Sequence, residues 1–328
     1  MKILQVGEGR AFTIQEVPTP RPGPGEVVMR VEAVTTCPQW DLHLRHNEPM
    51  FPGHRFRYPY TPGQPGHEAT GEVVAVGEGV SEVCVGDCVS AWRDSGHDVP
   101  GCYAQYVLRK CADVIRVPPS LPPEETAPVE LAMCVGATFL MLRGMDAVRE
   151  RRFAVAGLGP AGLIAAQMAR AEGASEVVGF DLSADRASYA LSQGLVDSAF
   201  DPRAGLETRL PTRPDAPALG CAVDCVGART SVEFLMDRTA DVVALFGVQR
   251  EDYTFAPRHW RNLRLCGYPG HSRAAAEYAV GLIEQGQLHL APLVTHHLPL
   301  ERYAEGIDLL ETQQAIKVCF WPWRGSGR

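Results

Sequence analysis

The stretch Phe153-Ala154-Val155-Ala156-Gly157-Leu158-Gly159-Pro160-Ala161-Gly162 decides the architecture of this chain of 328 residues. Four apolar residues run straight into a glycine loop, and an alanine- and leucine-rich run from Leu163 to Glu172 follows. An unbroken apolar strand suits a position covered on both faces. Glycines spaced G-x-G-x-x-G between such a strand and a helix answer three demands: a tight turn, close backbone approach to a pyrophosphate, and close packing of helix on sheet. The amino end of the helix then offers free N–H groups to negative charge. Gly157, Gly159, Pro160 and Gly162 are therefore the expected phosphate loop. Asp181 closes the next apolar strand, Val177-Val178-Gly179-Phe180, where a carboxylate can accept hydrogen bonds from an adenosine ribose and repel a 2′-phosphate. That favours NAD(H) over NADP(H), although Arg186 is near enough in sequence to complicate the choice.

Working outward, Arg186 to Gly194 reads as a second helix, and Cys221–Val226 and Asp241–Phe246 read as further buried strands. Strands alternating with helices predict an α/β fold with a doubly wound parallel sheet. Residues 1 to about 125 have another texture, with short runs such as Glu26–Val34, Glu72–Gly77 and Tyr103–Leu108 between glycine and proline turns, as in a mostly β domain. A prolonged helical stretch spans about 127 to 149, and Tyr268-Pro269-Gly270 marks the expected second crossing. The expected domains are 1–127, 128–269 and a return to the first domain over 270–328. The proline-rich stretch Pro211–Pro217 reads as a surface loop and Arg324–Arg328 as a mobile end.

Composition narrows the function. The formal charge is −8 and no long basic run occurs, which argues against nucleic acid. The start, Met1–Val6, reads as a strand rather than a secretory leader, and no uncharged apolar run is of membrane-spanning length, so a cytoplasmic protein is expected. Ten cysteines in that setting are thiols or metal ligands rather than disulfides.

Two of those residues stand out with Gly66-His67-Glu68-Ala69-Thr70-Gly71. Cys37 and His67 are a thiolate and an imidazole, both acceptable to zinc, and a catalytic zinc keeps one position open. A third ligand is needed, with Cys134 and Glu68 in front and Glu130 behind. Glu130 and Cys134 lie four residues apart and would share a helical face. Cys84, Cys88, Cys102 and Cys111 are spaced irregularly, with no CxxC pair, so no structural zinc is expected.

Gly66 to Gly77, followed by Val85-Gly86-Asp87, resembles the G-H-E-x-x-G-x-V-x-x-V-G motif of the medium-chain dehydrogenase/reductase family, in its zinc-dependent alcohol dehydrogenase branch. The resemblance extends over nearly all residues from Lys2 to Pro322. It implies a GroES-like catalytic domain beside a Rossmann domain, one catalytic zinc on Cys37, His67 and, by its C-x-G-x-T context, Cys134. It also implies that Glu68 is a second-shell or alternating ligand, that Lys317 approaches cofactor phosphate, and that the chain forms a homodimer or homotetramer. Two departures stand out. The four-cysteine lobe of many members is replaced by Trp92-Arg93-Asp94-Ser95-Gly96-His97. Where the family reads C-G-[ST]-D, this chain reads Cys37-Pro38-Gln39-Trp40-Asp41-Leu42-His43, one residue longer and without the hydroxyl that relays a proton. Asp41 and His43 resemble the later relay members, and His43 is expected to take the proton directly or through water.

The expected activity is zinc-assisted hydride transfer between NAD(H) and an alcohol/carbonyl pair. Trp40, Phe51, Tyr58, Tyr60 and Trp92, with Arg45, Arg55, Arg57 and His46-Asn47-Glu48 nearby, favour a bulky or polyhydroxylated secondary alcohol as the small-molecule substrate. The alternatives are reduction of an iminium or activated C=C bond, which needs no relay, and a non-catalytic dinucleotide-binding protein.

Overall fold

The computed structural model describes residues 1–9, 11–51, 53–206, 208–213 and 217–324. Parts of the expected surface loop (214–216) and of the expected mobile end (325–328) lie outside the described residues. In chain order the elements are β1 (Lys2–Val6), β2 (Phe12–Glu16), β3 (Glu26–Thr35), α1 (Pro38–His46), β4 (Glu68–Val76), β5 (Cys88–Ala91), β6 (Tyr106–Lys110), β7 (Val114–Arg116), α2 (Pro123–Thr126), α3 (Val129–Gly144), β8 (Arg152–Ala156), α4 (Pro160–Ala171), β9 (Glu176–Phe180), α5 (Ala184–Ser192), β10 (Ser198–Phe200), β11 (Leu219–Asp224), α6 (Arg229–Arg238), β12 (Thr239–Leu245), β13 (Arg264–Gly267), α7 (Arg273–Glu284), β14 (Val294–Pro299), α8 (Tyr303–Glu311) and β15 (Lys317–Trp321).

The chain divides into two compact units, Met1–Leu131 with Leu290–Arg328, and Ala132–His289. The return to the first unit therefore comes at residue 290 rather than at 270. The reason is α7, which stays with the second unit. Tyr278 donates to Glu172, and the Gln167 side chain bonds both the N–H and the carbonyl of His289. The first crossing likewise falls inside α3, after Leu131, instead of at 127. Residues 123–144 are long and apolar enough to qualify as a membrane span despite carrying charged residues, but most of that window is buried inside the protein, as in a core helix.

The first unit is built on β3, whose ten residues carry a largely buried pattern. It pairs antiparallel with β4, β6 and β15, in a sheet ordered β14-β15-β3-β4-β5-β7. Two registers matter for function: Thr35 lies opposite Glu68 on β4, and Cys319 lies opposite Thr35 on β15. The end of β3, the start of β4 and the start of β15 therefore converge. The core beneath holds Leu4, Met29, Val31, Tyr103 and Phe320.

The second unit is a six-stranded sheet ordered β10-β9-β8-β11-β12-β13, parallel throughout. Counted from β8 this is the 3-2-1-4-5-6 order of a Rossmann fold, with the strand order reversing between β8 and β11. The GroES-like and Rossmann α/β architecture of the sequence reading is the one the protein has.

Candidate metal and cofactor sites

Cys37 flanks the amino end of α1, and its N–H donates to the Asp41 carboxylate at 2.9 Å. His67 immediately precedes β4. Gly66 is required there because a side chain would drive its Cβ to 2.6 Å from the Tyr103 nitrogen. The ligand atoms of Cys37, His67 and Glu68 all lie within 4.8 Å of one another, although 30 residues separate the first two. His67 is 5 % exposed, and its Nδ1 sits 2.7 Å from the Pro65 carbonyl. That contact places a proton on Nδ1 and turns the Nε2 lone pair toward any metal. Burial alone would lower the His67 pKa, but the hydrogen bond with Cys37 and the charges of Glu130, Cys37 and Asp94 outweigh it, so the metal-free imidazole is raised well above its ordinary value. Glu130 Oε2 is 3.8 Å from His67 Nε2. The remaining candidate, Cys134, is buried on α3 in the second unit. Sulfur, imidazole and carboxylate oxygen together suit zinc.

Three expectations change. Lys317 does not present its charge to a cofactor. It is fully buried, its Nζ lying 2.6 Å from both Glu68 oxygens and 2.5 Å from the Thr36 carbonyl. The convergence of β15, β3 and β4 is the cause. Asp41 is held in the core by three hydrogen bonds. It is fully buried and accepts from the Tyr103 and Tyr303 hydroxyls, both at 2.9 Å, as well as from Cys37. Burial lifts its pKa to about 6 against the pull of those hydrogen bonds and of His67. Asp41 thus braces the loop that carries Cys37. His43 stands two residues further along α1, about 200° around a helix of 3.6 residues per turn, with its Nδ1 3.1 Å from the Glu48 carbonyl. It does not share the face of Asp41.

In the second unit the glycine loop opens at the point where strand order reverses. Gly157 has φ +86°, and a Cβ on Gly162 would fall 1.8 Å from the Gly157 oxygen, so α4 packs on the loop only because position 162 is glycine. Pro160 begins α4 with no N–H to satisfy. Asp181 accepts from the Leu158 and Ser183 N–H groups, each at 2.8 Å, which fixes its carboxylate beside the loop. The Arg186 guanidinium reaches over Gly159, its Nη1 4.0 Å from where a Cβ there would stand.

Residues that the sequence reading passed over lie around His67. Asp94 and His97 pair at 3.6 Å, and the His97 ring packs against Trp40 with centroids 3.8 Å apart and the planes tilted by 34°. An acid and an imidazole three residues apart, in a loop following an apolar strand, were the available clue.

A Rossmann sheet with its phosphate loop, together with a GroES-like unit carrying a thiol–imidazole–carboxylate cluster, defines a zinc-type dehydrogenase. Residues 23–119 match the alcohol dehydrogenase GroES-like domain and residues 160–285 the zinc-binding dehydrogenase domain. The chain is 28 % identical to L-threonine 3-dehydrogenase of Bacillus licheniformis, over 98 % of each chain. Among solved structures it is similar to 2R,3R-butanediol dehydrogenase from Bacillus subtilis (TM-score 0.82, 22 % identity, 98 % of this chain and 99 % of that one). Galactitol-1-phosphate dehydrogenase from Escherichia coli is comparable (TM-score 0.81, 20 % identity, 98 % and 100 %). The chain belongs to the medium-chain dehydrogenase/reductase family, in its zinc-dependent alcohol dehydrogenase branch. It is an oxidoreductase that works with zinc and a nicotinamide cofactor.

Proposed function

We propose that this protein interconverts a bulky or polyhydroxylated secondary alcohol and its ketone, with NAD(H) as cofactor and one zinc ion per chain. The observation that carries the reading is the clustering of Cys37, His67 and Glu68 within 4.8 Å. When bound, zinc supplies Lewis acidity toward the substrate oxygen and the nicotinamide takes or gives the hydride.

The chain's own residues do the positioning. Cys37 and His67 anchor the metal, the first braced by Asp41 and the second held in one tautomer by the Pro65 carbonyl. Glu130 is the favoured third ligand because it already faces His67 Nε2. Glu68 is drawn the other way by Lys317, which suits an alternating ligand better than a permanent one. Cys134 remains the alternative that the family pattern suggests. The N–H groups following Gly159 receive the pyrophosphate, with Arg186 adding positive charge above them. Asp181 accepts from the ribose hydroxyls and disfavours a 2′-phosphate. His43, off the face of Asp41 and held to the Glu48 carbonyl, is replaced in this reading by another group or by water as the route for the proton. A homodimer or homotetramer completes the proposal, measurable by light scattering.

The test is elemental analysis of protein purified without chelator, followed by NAD⁺ reduction with a panel of secondary alcohols. One zinc per chain, lost in Cys37→Ala, and turnover preferring NAD⁺ are expected. NADH oxidation by an enal or an imine, with no alcohol turned over, would move the assignment to reduction of C=C or iminium bonds. Cofactor binding with neither zinc nor turnover would leave a binding protein.

A further inference from the structure

Along β6, half-buried and buried positions alternate, and Arg109 occupies one of the buried ones, opposite Val27 of β3. That register asks for an apolar side chain. Arg109 is instead a cation, 2 % exposed. Its Nη1 donates to the Pro100 and Leu108 carbonyls, both at 2.9 Å, and its Nη2 lies 3.1 Å from the Cys102 sulfur. A guanidinium carries five N–H donors. Those contacts occupy three of them. Nε is buried with no hydrogen-bond partner.

No carboxylate answers the charge. Arg109 enters no ion pair among the described residues, and the side chain it touches is a thiol. Burial raises the Cys102 pKa against the pull of Arg109, so the sulfur stays neutral. Asp94 is near enough to feel the guanidinium, but its oxygens are directed to Gln64, the Gly96 N–H and His97. A buried cation held only by neutral groups is poorly compensated.

Arg109 lines a cleft of about 460 Å³ inside the first unit, within the range of about 300–1,000 Å³ for small-molecule sites. Pro100 and Leu108, whose carbonyls hold the guanidinium, line it as well. The walls are otherwise mostly apolar, with Ile3, Val17, Pro20, Pro62 and Tyr106. Among the lining side chains two cations, Arg109 and Lys110, meet one acid, Glu26, whose Oε2 already accepts from the Gly23 N–H. None of the residues assigned above to metal or dinucleotide binding lines this cleft. Apolar walls select an apolar body, and the two unspent N–H donors of Arg109 match the two oxygens of a carboxylate.

We propose that the cleft around Arg109 binds a small organic acid with an apolar body, a medium-chain or aryl carboxylate. The site needs neither the metal nor the nucleotide, so it stands or falls apart from the alcohol–carbonyl reading.

The test is calorimetric titration of the zinc-loaded full chain saturated with NADH, which already fills the phosphate loop. The probes are octanoate, acetate and octyltrimethylammonium. Octanoate is expected to bind at one site per chain, about tenfold or more tighter than acetate, which lacks the apolar body, and than the cation, which lacks the negative head. Arg109→Met should weaken octanoate by about tenfold or more, as a charge-assisted hydrogen bond is lost. Lys110 is exposed, so Lys110→Glu leaves the core alone and keeps the test open if Arg109→Met fails to fold. It should cut the preference for octanoate over the cation by about threefold or more at low salt. Cys37→Ala should keep octanoate affinity within about threefold, because distant sites act independently. In crystals soaked with 8-bromooctanoate, the anomalous signal of bromine should lie in the cleft. Equal binding of the cation, an unchanged affinity in Arg109→Met, an unchanged preference in Lys110→Glu, or a bromine elsewhere would overturn the proposal. So would loss of octanoate in Cys37→Ala, which would put the acid on the metal, or a cleft closed by a second copy of the chain.

Discussion

Fully buried, Lys317 has no water to replace the partners it has found, and its ammonium is spent on Glu68 and Thr36. Removing one member of a buried pair strands the other charge and costs about 3–5 kcal/mol, whereas removing both is often neutral. Lys317→Met should therefore destabilise the metal-free protein by about that much in urea unfolding, and adding Glu68→Gln should recover most of the loss. A loss under 1 kcal/mol in Lys317→Met would show the pair to be dispensable. His43 is the contrasting case, since its helix position turns it away from the face of Asp41. A general acid or base contributes about 10²- to 10⁴-fold in rate. His43→Ala should instead keep its zinc, and its kcat should stay within about threefold of the wild type, well short of a catalytic loss. Steady-state kinetics across pH decide it, and a collapse of two orders of magnitude would restore His43 to the proton path.

At the scale of elements, the glycine loop separates two roles that one motif conceals. Gly162 serves packing, because an added methyl meets the Gly157 oxygen at 1.8 Å, whereas a methyl on Gly159 meets nothing nearer than the tip of Arg186 at 4.0 Å. Gly162→Ala should destabilise the protein by about 1–3 kcal/mol or more as the helix is forced off the loop. Gly159→Ala should fold normally, yet lose NADH affinity by about tenfold or more through obstruction of the pyrophosphate. Thermal melts and NADH fluorescence titrations read the two effects separately. Across the same unit, α6 is tied to the segment before β13. Asp237 binds Arg258 and His259, whose Nδ1 accepts from the Ala256 N–H and so directs Nε2–H to the carboxylate. Burial would raise Asp237, but Arg258 and His259 outweigh it and hold its pKa below the usual carboxylate value. A depressed carboxyl stabilises the fold above its unfolded pKa, and that stability disappears as pH falls through the folded value. Asp237→Asn should cost about 1–2 kcal/mol near pH 7, with the difference closing in acid unfolding curves as pH falls through the depressed folded value. The sequence made the βαβ series and the phosphate loop readable because those signals are local: apolar runs, glycine spacing, a carboxylate at a strand end. It hid the Glu68–Lys317 pair, whose members lie 249 residues apart, and the return at 290, since the periodicity of α7 does not say which core it covers. The one-residue lengthening after Cys37 was visible, but its effect on which helix face carries His43 required the helix itself.

At the scale of the whole molecule, the metal ligands Cys37 and His67 come from the first unit and the phosphate loop from the second, and each unit encloses its own buried core. Anything that binds only the folded state stabilises it by RT ln(1 + [L]/Kd), about 2.7 kcal/mol at a hundredfold excess over Kd. Zinc and NADH should each raise the unfolding temperature by that rule, through different residues. Stripping zinc with a chelator should lower the transition by several degrees, and readdition of zinc should restore it. Cys37→Ala should lose the response to zinc and keep the response to NADH. Gly159→Ala should do the reverse, still answering to zinc while NADH has little effect. Scanning calorimetry of the three proteins, each with and without each ligand, gives the comparison whether unfolding proceeds in one step or two. A Cys37→Ala protein that still gained stability from zinc would mean that the metal sits elsewhere, and the assignment of Cys37 and His67 as its anchors would fail even if the protein oxidised alcohols.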